Sequence, residues 1–236
     1  VTVEDVGGRE HEFTLEKHGF VYAKQSSTVM KTRDDLFDTK KIVTEYYPEM
    51  AEFLQRVTGA PQIKIIHHGM RVLISLPVRL LTRVSAAHLD FSSIQSNKTL
   101  HSHFEGETEE IMHGRFMIVN AWRPIKPVYR DPFGIAGANT VPHRDLVIRQ
   151  NRWFKEIRES MGVVYNPAHR WYYKYAQQPE DVLIFKQYDN HGRARACPHT
   201  AFVDEEHKDN YARESIEIRA ILIWPDHESV LVSSNL

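Results

Sequence analysis

The chain has 236 residues, of which 42% are hydrophobic and 26% charged, and its formal net charge is −1. That length suits one ordinary core, the near-neutral balance excludes a global field for nucleic acid or an anionic membrane, and no apolar run approaches the ~18 residues of a membrane span. A single cysteine, Cys197, excludes an internal disulfide; with no visible targeting segment, a reducing, cytoplasmic setting is expected.

Taken in order, the chain opens with a short strand at Phe20-Val21-Tyr22. Residues 33–57 then read as helical, with apolar positions from Leu36 to Val57 and Pro48 expected to break the segment. From about residue 62 the texture changes to short runs rich in β-branched and aromatic residues. These are Ile63–Ile66, Met70–Leu76, Phe116–Trp122, His169–Tyr175, Asp181–Tyr188, Thr200–Val203 and Ser215–Trp224, separated by proline and glycine. Gln95–Glu110 reads as a polar loop, and Arg144–Met161 as one inserted helix. Many short strands favour a β-sandwich or barrel, and no glycine-rich nucleotide loop is present. We expect one domain over 1–236, with an N-terminal extension (about 1–60) packed on a β core (about 61–236).

His88-Leu89-Asp90 places two metal-ligand types at i and i+2, which on a strand share a face. His199, 111 residues later, is the third candidate. Two imidazoles and one carboxylate leave open positions on a metal and suit ferrous iron. By itself the His-x-Asp pattern arises by chance, and His101-Ser102-His103 and His67-His68 compete with it. Cys197 shares the neighbourhood of His199 but is not expected to be a ligand.

Arg213-Glu214-Ser215 raises the odds. Arg213, Ser215, Glu217 and Arg219 fall on one strand face, where a guanidinium and a hydroxyl could hold the far carboxylate of a dicarboxylate. Arg219 could reach a second carboxylate or pair with a buried acid. The bland alternative is an alternating surface ladder worth ~0–1 kcal/mol per pair. Asn120, Trp122, Arg123 and Tyr188 are candidates to line the pocket, and Arg115 and Arg123 to bind an acidic substrate group. Against this, Trp122 could be core, and Arg123 could pair with Asp131 or Asp145.

At this point the chain resembles the iron(II)/2-oxoglutarate-dependent oxygenases. More narrowly it resembles their mostly fungal group of gibberellin desaturase, aspergillic acid hydroxylase and CmcJ-like proteins. The likeness is carried by His88-x-Asp90, His199, Arg213-x-Ser215 and longer strings. Those strings are Asn120-Ala121-Trp122-Arg123-Pro124, His169-Arg170-Trp171-Tyr172-Tyr173, Ile184-Phe185-Lys186-Gln187-Tyr188-Asp189, and Arg213 through Ala220. The stretch between Met70 and His88 is shorter than the family's, and Asn190 stands where serine is expected.

The resemblance implies a mainly β fold with flanking helices around a double-stranded β-helix (jelly roll, cupin-like) core. It implies Fe(II) on His88, Asp90 and His199, with O2 and the cosubstrate 2-oxoglutarate on Arg213, Ser215, Arg219 and Asn120. A small secondary metabolite would be oxidised at an unactivated C–H bond by hydroxylation, desaturation or cyclisation, with release of succinate and CO2. Arg115, Trp122, Arg123 and Tyr188 would face that substrate. The expected partner is this small molecule, with no nucleic acid and no membrane, and the helical N-terminal segment could serve a homodimer contact. The rival is a cupin-like metalloenzyme or binding protein on the same fold that does not use 2-oxoglutarate.

Overall fold

Strands dominate because the apolar residues come in short β-branched runs that can be covered on both faces. The computed structural model describes residues 1–72, 86–153, 156–192 and 196–225. In chain order its strands are β1 (Val3–Asp5), β2 (Phe20–Lys24), β3 (Gln62–Arg71), β4 (His88–Leu89), β5 (Arg115–Pro124), β6 (Phe133–Ala136), β7 (Leu146–Trp153), β8 (Glu156–Val163), β9 (Trp171–Tyr173), β10 (Asp181–Asp189), β11 (His199–Ala201) and β12 (Ser215–Trp224). Among the described residues these form a five-stranded sheet, β2-β10-β5-β12-β3, and a seven-stranded sheet, β1-β9-β6-β11-β4-β8-β7. From β3 to β6 the chain alternates between the sheets, and it does so again from β9 to β12. This is the winding of a jelly roll, as expected.

The five-stranded sheet has two working faces. Along β5 and β12, Val119, Ala121, Ile216, Ile218, Ala220 and Leu222 point outward and pack under helix α1 (Tyr47–Thr58), which contributes Met50, Phe53 and Leu54. The alternate residues point inward. Trp122, Leu183 and Phe185 meet Phe133 and Ile135 of the other sheet. Toward the opposite end of the strands, Phe116, Ile118, Ile221 and Ile223 are capped by α2 (Ser93–His103) and α3 (Thr108–His113). The inner face between these two apolar clusters carries the polar residues.

Four local expectations are corrected. Arg144–Met161 is not a helix: β7 and β8 form an antiparallel hairpin, paired from Leu146↔Val163 to Trp153↔Glu156. Gln95–Glu110 is largely helical rather than loop, because Ser92 caps α2 by accepting the Gln95 N–H and because Leu100 and Ile111 bury an apolar side. Pro48 does not break the helical segment. A π-helical turn, Ile42–Tyr46, runs into α1, where proline falls in the first turn and its missing N–H is not needed. Ile63–Ile66 and Met70 belong to one strand, β3, while residues 73–76 of the second run, and most of the shortened Met70–His88 stretch, lie outside the described residues.

Candidate metal centre

β4 and β11 run antiparallel, with His88 directly opposite His199. This brings two residues 111 apart in sequence to a ring-centroid distance of 4.4 Å. Asp90, just past β4, turns its Oδ1 toward His88 Nε2 at 3.5 Å. Each of the three can offer a ligand atom within 4.8 Å of the other two. Both imidazoles are oriented from behind. His88 Nδ1 lies 2.9 Å from the Ala86 carbonyl and His199 Nδ1 3.3 Å from the Cys197 carbonyl, so each Nδ1 donates to the backbone and each Nε2 faces the shared space. Phe133 stacks on His199 at 5.5 Å, and Phe185 packs against it at 4.9 Å.

The charge states also suit a cation. Burial holds the His199 imidazole down at about 4, leaving it neutral. Burial works against ionised Asp90, but the Arg219 guanidinium and the hydrogen bond from His88 outweigh it and keep the carboxyl well below the usual range. His88 is raised: burial lowers it, and Asp90 more than compensates. The other oxygen of Asp90 is occupied. Arg219 Nη2 donates to Oδ2 at 2.6 Å and Asn120 Nδ2 at 2.9 Å. Asn120 Oδ1 accepts from Arg219 Nε, and its Nδ2 also reaches Glu217 Oε1 at 3.0 Å. The Asp90 N–H donates to Gln187 Oε1 at 3.0 Å. Donor set, tautomers and the fixed carboxylate all fit a divalent metal with imidazole and carboxylate ligands.

From the triad a cavity of about 190 Å³ runs toward the start of β12 and is lined by Trp122, Phe133, Arg71, Arg213, Ser215 and Glu217. Arg213 lies between Trp122 and Phe133, its guanidinium carbon 5.6 and 5.9 Å from their rings. Its Nη1 donates to the Asp131 carbonyl at 2.8 Å, and no carboxylate among the described residues pairs with it. Burial, with Arg71 near, pulls Arg213 down to about 10, still cationic at neutral pH. The Ser215 hydroxyl is buried without a hydrogen-bond partner. Burial and the Asp90 charge push Glu217 up to about 7.

The structure therefore brings His88, Asp90, His199, Asn120, Trp122, Arg213 and Ser215 to one place, but divides the others. Arg219 is bound to Asp90 and lies outside the Arg213 cavity. Arg123 does not line the pocket and does not pair with Asp131 or Asp145. Next to Trp122 on β5, it points to the outer face, where it donates to Tyr46 Oη, the Gln25 and Pro179 carbonyls and Gln25 Oε1. Arg115 lies toward the other end of β5, paired with Asp189 and Glu16. Tyr188 packs on Phe116, 5.2 Å between rings. His101 and His103 sit two apart on a helix, so they point to different sides. Asp145 pairs instead with His169, at 2.9 Å. Three residues went unassigned in the sequence. Alternation from Ser215 already placed Glu217 on this face, and Arg71 is its neighbour through the pairing with Ser215. Gln187 gave no signal, because a register shift between Lys186 and Tyr188 brings it to Asp90.

Comparison with known proteins agrees with this geometry. A family model described as an Oxidoreductase/YMDC permease-like domain matches residues 1–223. The chain is 32% identical to the alpha-ketoglutarate-dependent dioxygenase phiK of a fungal species, covering 92% of this chain and 81% of phiK. It is 30% identical to the hydroxylase/desaturase efuI of Hormonema carpetanum, covering 97% and 84%. The iron and alpha-ketoglutarate-dependent endoperoxidase NvfI shares the fold, with a TM-score of 0.85 at 22% identity over 94% of this chain and 85% of that one. No helix among the described residues is long and apolar enough to cross a membrane. The chain belongs to the oxidoreductase family that includes the fungal hydroxylase/desaturases and alpha-ketoglutarate-dependent dioxygenases.

Proposed function

We propose that His88, Asp90 and His199 hold iron(II), and that 2-oxoglutarate fills the cavity between them and Arg213. The chain is an iron(II)/2-oxoglutarate-dependent dioxygenase acting on small secondary metabolites. The observation that carries the assignment of residues is Arg213: a half-buried guanidinium with no carboxylate partner among the described residues, facing a metal-competent triad across about 190 Å³, with an orphaned Ser215 hydroxyl beside it. Burying such a charge is costly unless a ligand completes it, and a five-carbon dicarboxylate can span metal and guanidinium.

When bound, iron supplies dioxygen activation, coupled to oxidative decarboxylation of 2-oxoglutarate to succinate and CO2. The chain's own residues position and shield. Arg213 and Ser215 take the distal carboxylate with charge-assisted hydrogen bonds. Trp122 and Phe133 flank that guanidinium and exclude water. Asn120 and Arg219 hold Asp90 so that only Oδ1 is presented to the metal. Phe133 and Phe185 fix the plane of His199. We read the N-terminal strands and α1 as part of one domain with the β core, in a cytoplasmic setting. The half-exposed Phe37 and Val43, on the helical segment before α1, suit a homodimer contact.

Anaerobic addition of iron(II) and 2-oxoglutarate to the purified protein tests the reading. A weak visible charge-transfer band is expected, and Asp90→Ala should abolish both the band and succinate formation. A wild-type protein that shows no band and retains no iron would refute it. A protein that keeps iron but gives no band would favour the rival without 2-oxoglutarate.

A further inference from the structure

An ion pair on β10 stands where a regular strand forbids one. Lys186 Nζ donates to Asp189 Oδ2 at 2.5 Å, and the two residues are three apart in sequence. On an uninterrupted strand, residues at i and i+3 point to opposite faces. Here they share the outer face because β10 carries one extra residue. Lys186 pairs with Val119 and Tyr188 with its neighbour Ile118, which leaves Gln187 unmatched. Arg115 of β5 completes the cluster, its Nη2 2.7 Å from Asp189 Oδ2 and its Nε 3.2 Å from Oδ1. All three side chains are buried. The same bulge meets both segments that carry the metal-competent ligands. Gln187 Oε1 accepts the Asp90 N–H at 3.0 Å. The Lys186 carbonyl accepts the Cys197 N–H at 2.8 Å, and the Cys197 carbonyl lies 3.3 Å from His199 Nδ1. Gln187 is buried, yet its Nε2 has no hydrogen-bond partner. Its one hydrogen bond among the described residues is to the Asp90 amide. An apolar side chain of similar size would avoid the cost of the orphaned Nε2, so the position gains from glutamine only that acceptor.

We propose that this bulge is the positioning device of the metal centre. Gln187 and Lys186 are positioning residues that fix Asp90 and His199 from the opposite sheet, and the Lys186–Asp189–Arg115 cluster holds them in register. The inference rests on the reading that His88, Asp90 and His199 hold iron(II). Both supported ligands stand at the ends of short strands: Asp90 just past the two residues of β4, and His199 at the start of the three of β11. Support from the longer β10 therefore counts. If the bulge slipped out, Gln187 and the Lys186 carbonyl would leave Asp90 and Cys197 together. The ion cluster opposes that slip, because in an unbulged register Asp189 would turn inward and leave Lys186 and Arg115 as buried cations without it.

The test uses the full-length protein and cobalt(II), with affinity measured by competition with a chelator and ligand geometry by visible absorption. Gln187→Leu should weaken cobalt binding about tenfold and shift the absorption. Lys186→Met, which leaves Asp189 with Arg115, should weaken it about three- to tenfold. Because both act by one route, the double variant should lie within about twofold of Gln187→Leu. Asp189→Asn cuts the same tie from its other end and is measured in the same way, so that failure of one variant to fold leaves the other to decide. Arg123→Met is the control: it should destabilise the fold yet leave cobalt affinity and spectrum unchanged. Hydrogen exchange on the metal-free protein supplies an independent arm. In Lys186→Met the Asp90 and Cys197 amides should exchange about tenfold faster, with those of β12 unchanged. A wild-type protein that binds no cobalt would strike the metal reading, and the exchange arm would still decide on the bulge. Full cobalt affinity in both single variants, additive losses in the double variant, an equal loss in Arg123→Met, or unchanged exchange at Asp90 and Cys197 would overturn the proposal.

Discussion

The two arginines of the last strand should fail in different ways. Arg213→Met keeps an unbranched side chain between Trp122 and Phe133 but removes the guanidinium that faces the 190 Å³ cavity. A bidentate contact to a carboxylate involves two charge-assisted hydrogen bonds at roughly 1.5–3 kcal/mol each. The loss should therefore be about 3 kcal/mol or more, which weakens 2-oxoglutarate binding by at least about a hundredfold. Metal affinity should hold, because no hydrogen bond links Arg213 to His88, Asp90 or His199. Arg219→Met should leave 2-oxoglutarate affinity within about threefold, since its guanidinium is bound to Asp90 Oδ2 at 2.6 Å and to Asn120. The assay is anaerobic titration of 2-oxoglutarate into the iron(II) protein, read at the charge-transfer band, with metal affinity measured separately. A hundredfold loss in Arg219→Met and none in Arg213→Met would refute the assignment.

Asn120→Ala removes a neutral partner of Asp90, so it tests the positioning of that ligand without a change of charge; metal affinity should fall about 10–100-fold by competition with a chelator. Metal binding should release one proton between a pH somewhat above 6.5 and about pH 4. His88, raised above its ordinary 6.5, must deprotonate there, whereas His199 stays neutral down to about 4 and Asp90 is already ionised. Affinity should then fall about tenfold per pH unit as pH drops below the His88 value; a hundredfold fall per unit would mean that both histidines titrate together. Arg123→Met should cost about 2–4 kcal/mol in denaturant unfolding, because it strips hydrogen bonds from Tyr46 and from the Gln25 and Pro179 carbonyls under α1, yet leave the 2-oxoglutarate requirement unchanged.

Legibility in the sequence followed the period of the strand. Ser215–Trp224 was readable to the residue because its alternating apolar positions are buried under α1 while the polar ones face the site. The same rule, applied along Asn120-Ala121-Trp122-Arg123, separates Trp122 from Arg123: neighbours on a strand point to opposite faces, so both could not line one pocket. Arg115 and Arg123 looked available because a sequence does not show buried partners such as Asp189 or the Pro179 carbonyl. The β7–β8 hairpin was misread because its polar, arginine-rich stretch carries no clean period of two. Its pairing is set by the partner strand rather than by either segment alone. Gln187 was out of reach for a similar reason, since an irregular register is a property of two strands.

The spacing of Arg213 and Arg219 decides more than either residue does alone. Six residues of extended chain separate their Cα atoms by roughly 20 Å, and the two guanidiniums are engaged differently: Arg219 with Asp90 and Asn120, Arg213 beside the cavity. What remains is a division along one face of β12. Arg213 and Ser215 stand beside the cavity before the metal ligands, Glu217 stands beside the ligands, and Arg219 closes the far side by occupying Asp90 Oδ2. The Asp90–Arg219 pair thereby becomes a wall with a different cavity on each side. Its guanidinium also adds positive charge near the metal. Asp90, held ionised beside it, supplies the negative charge that balances that guanidinium.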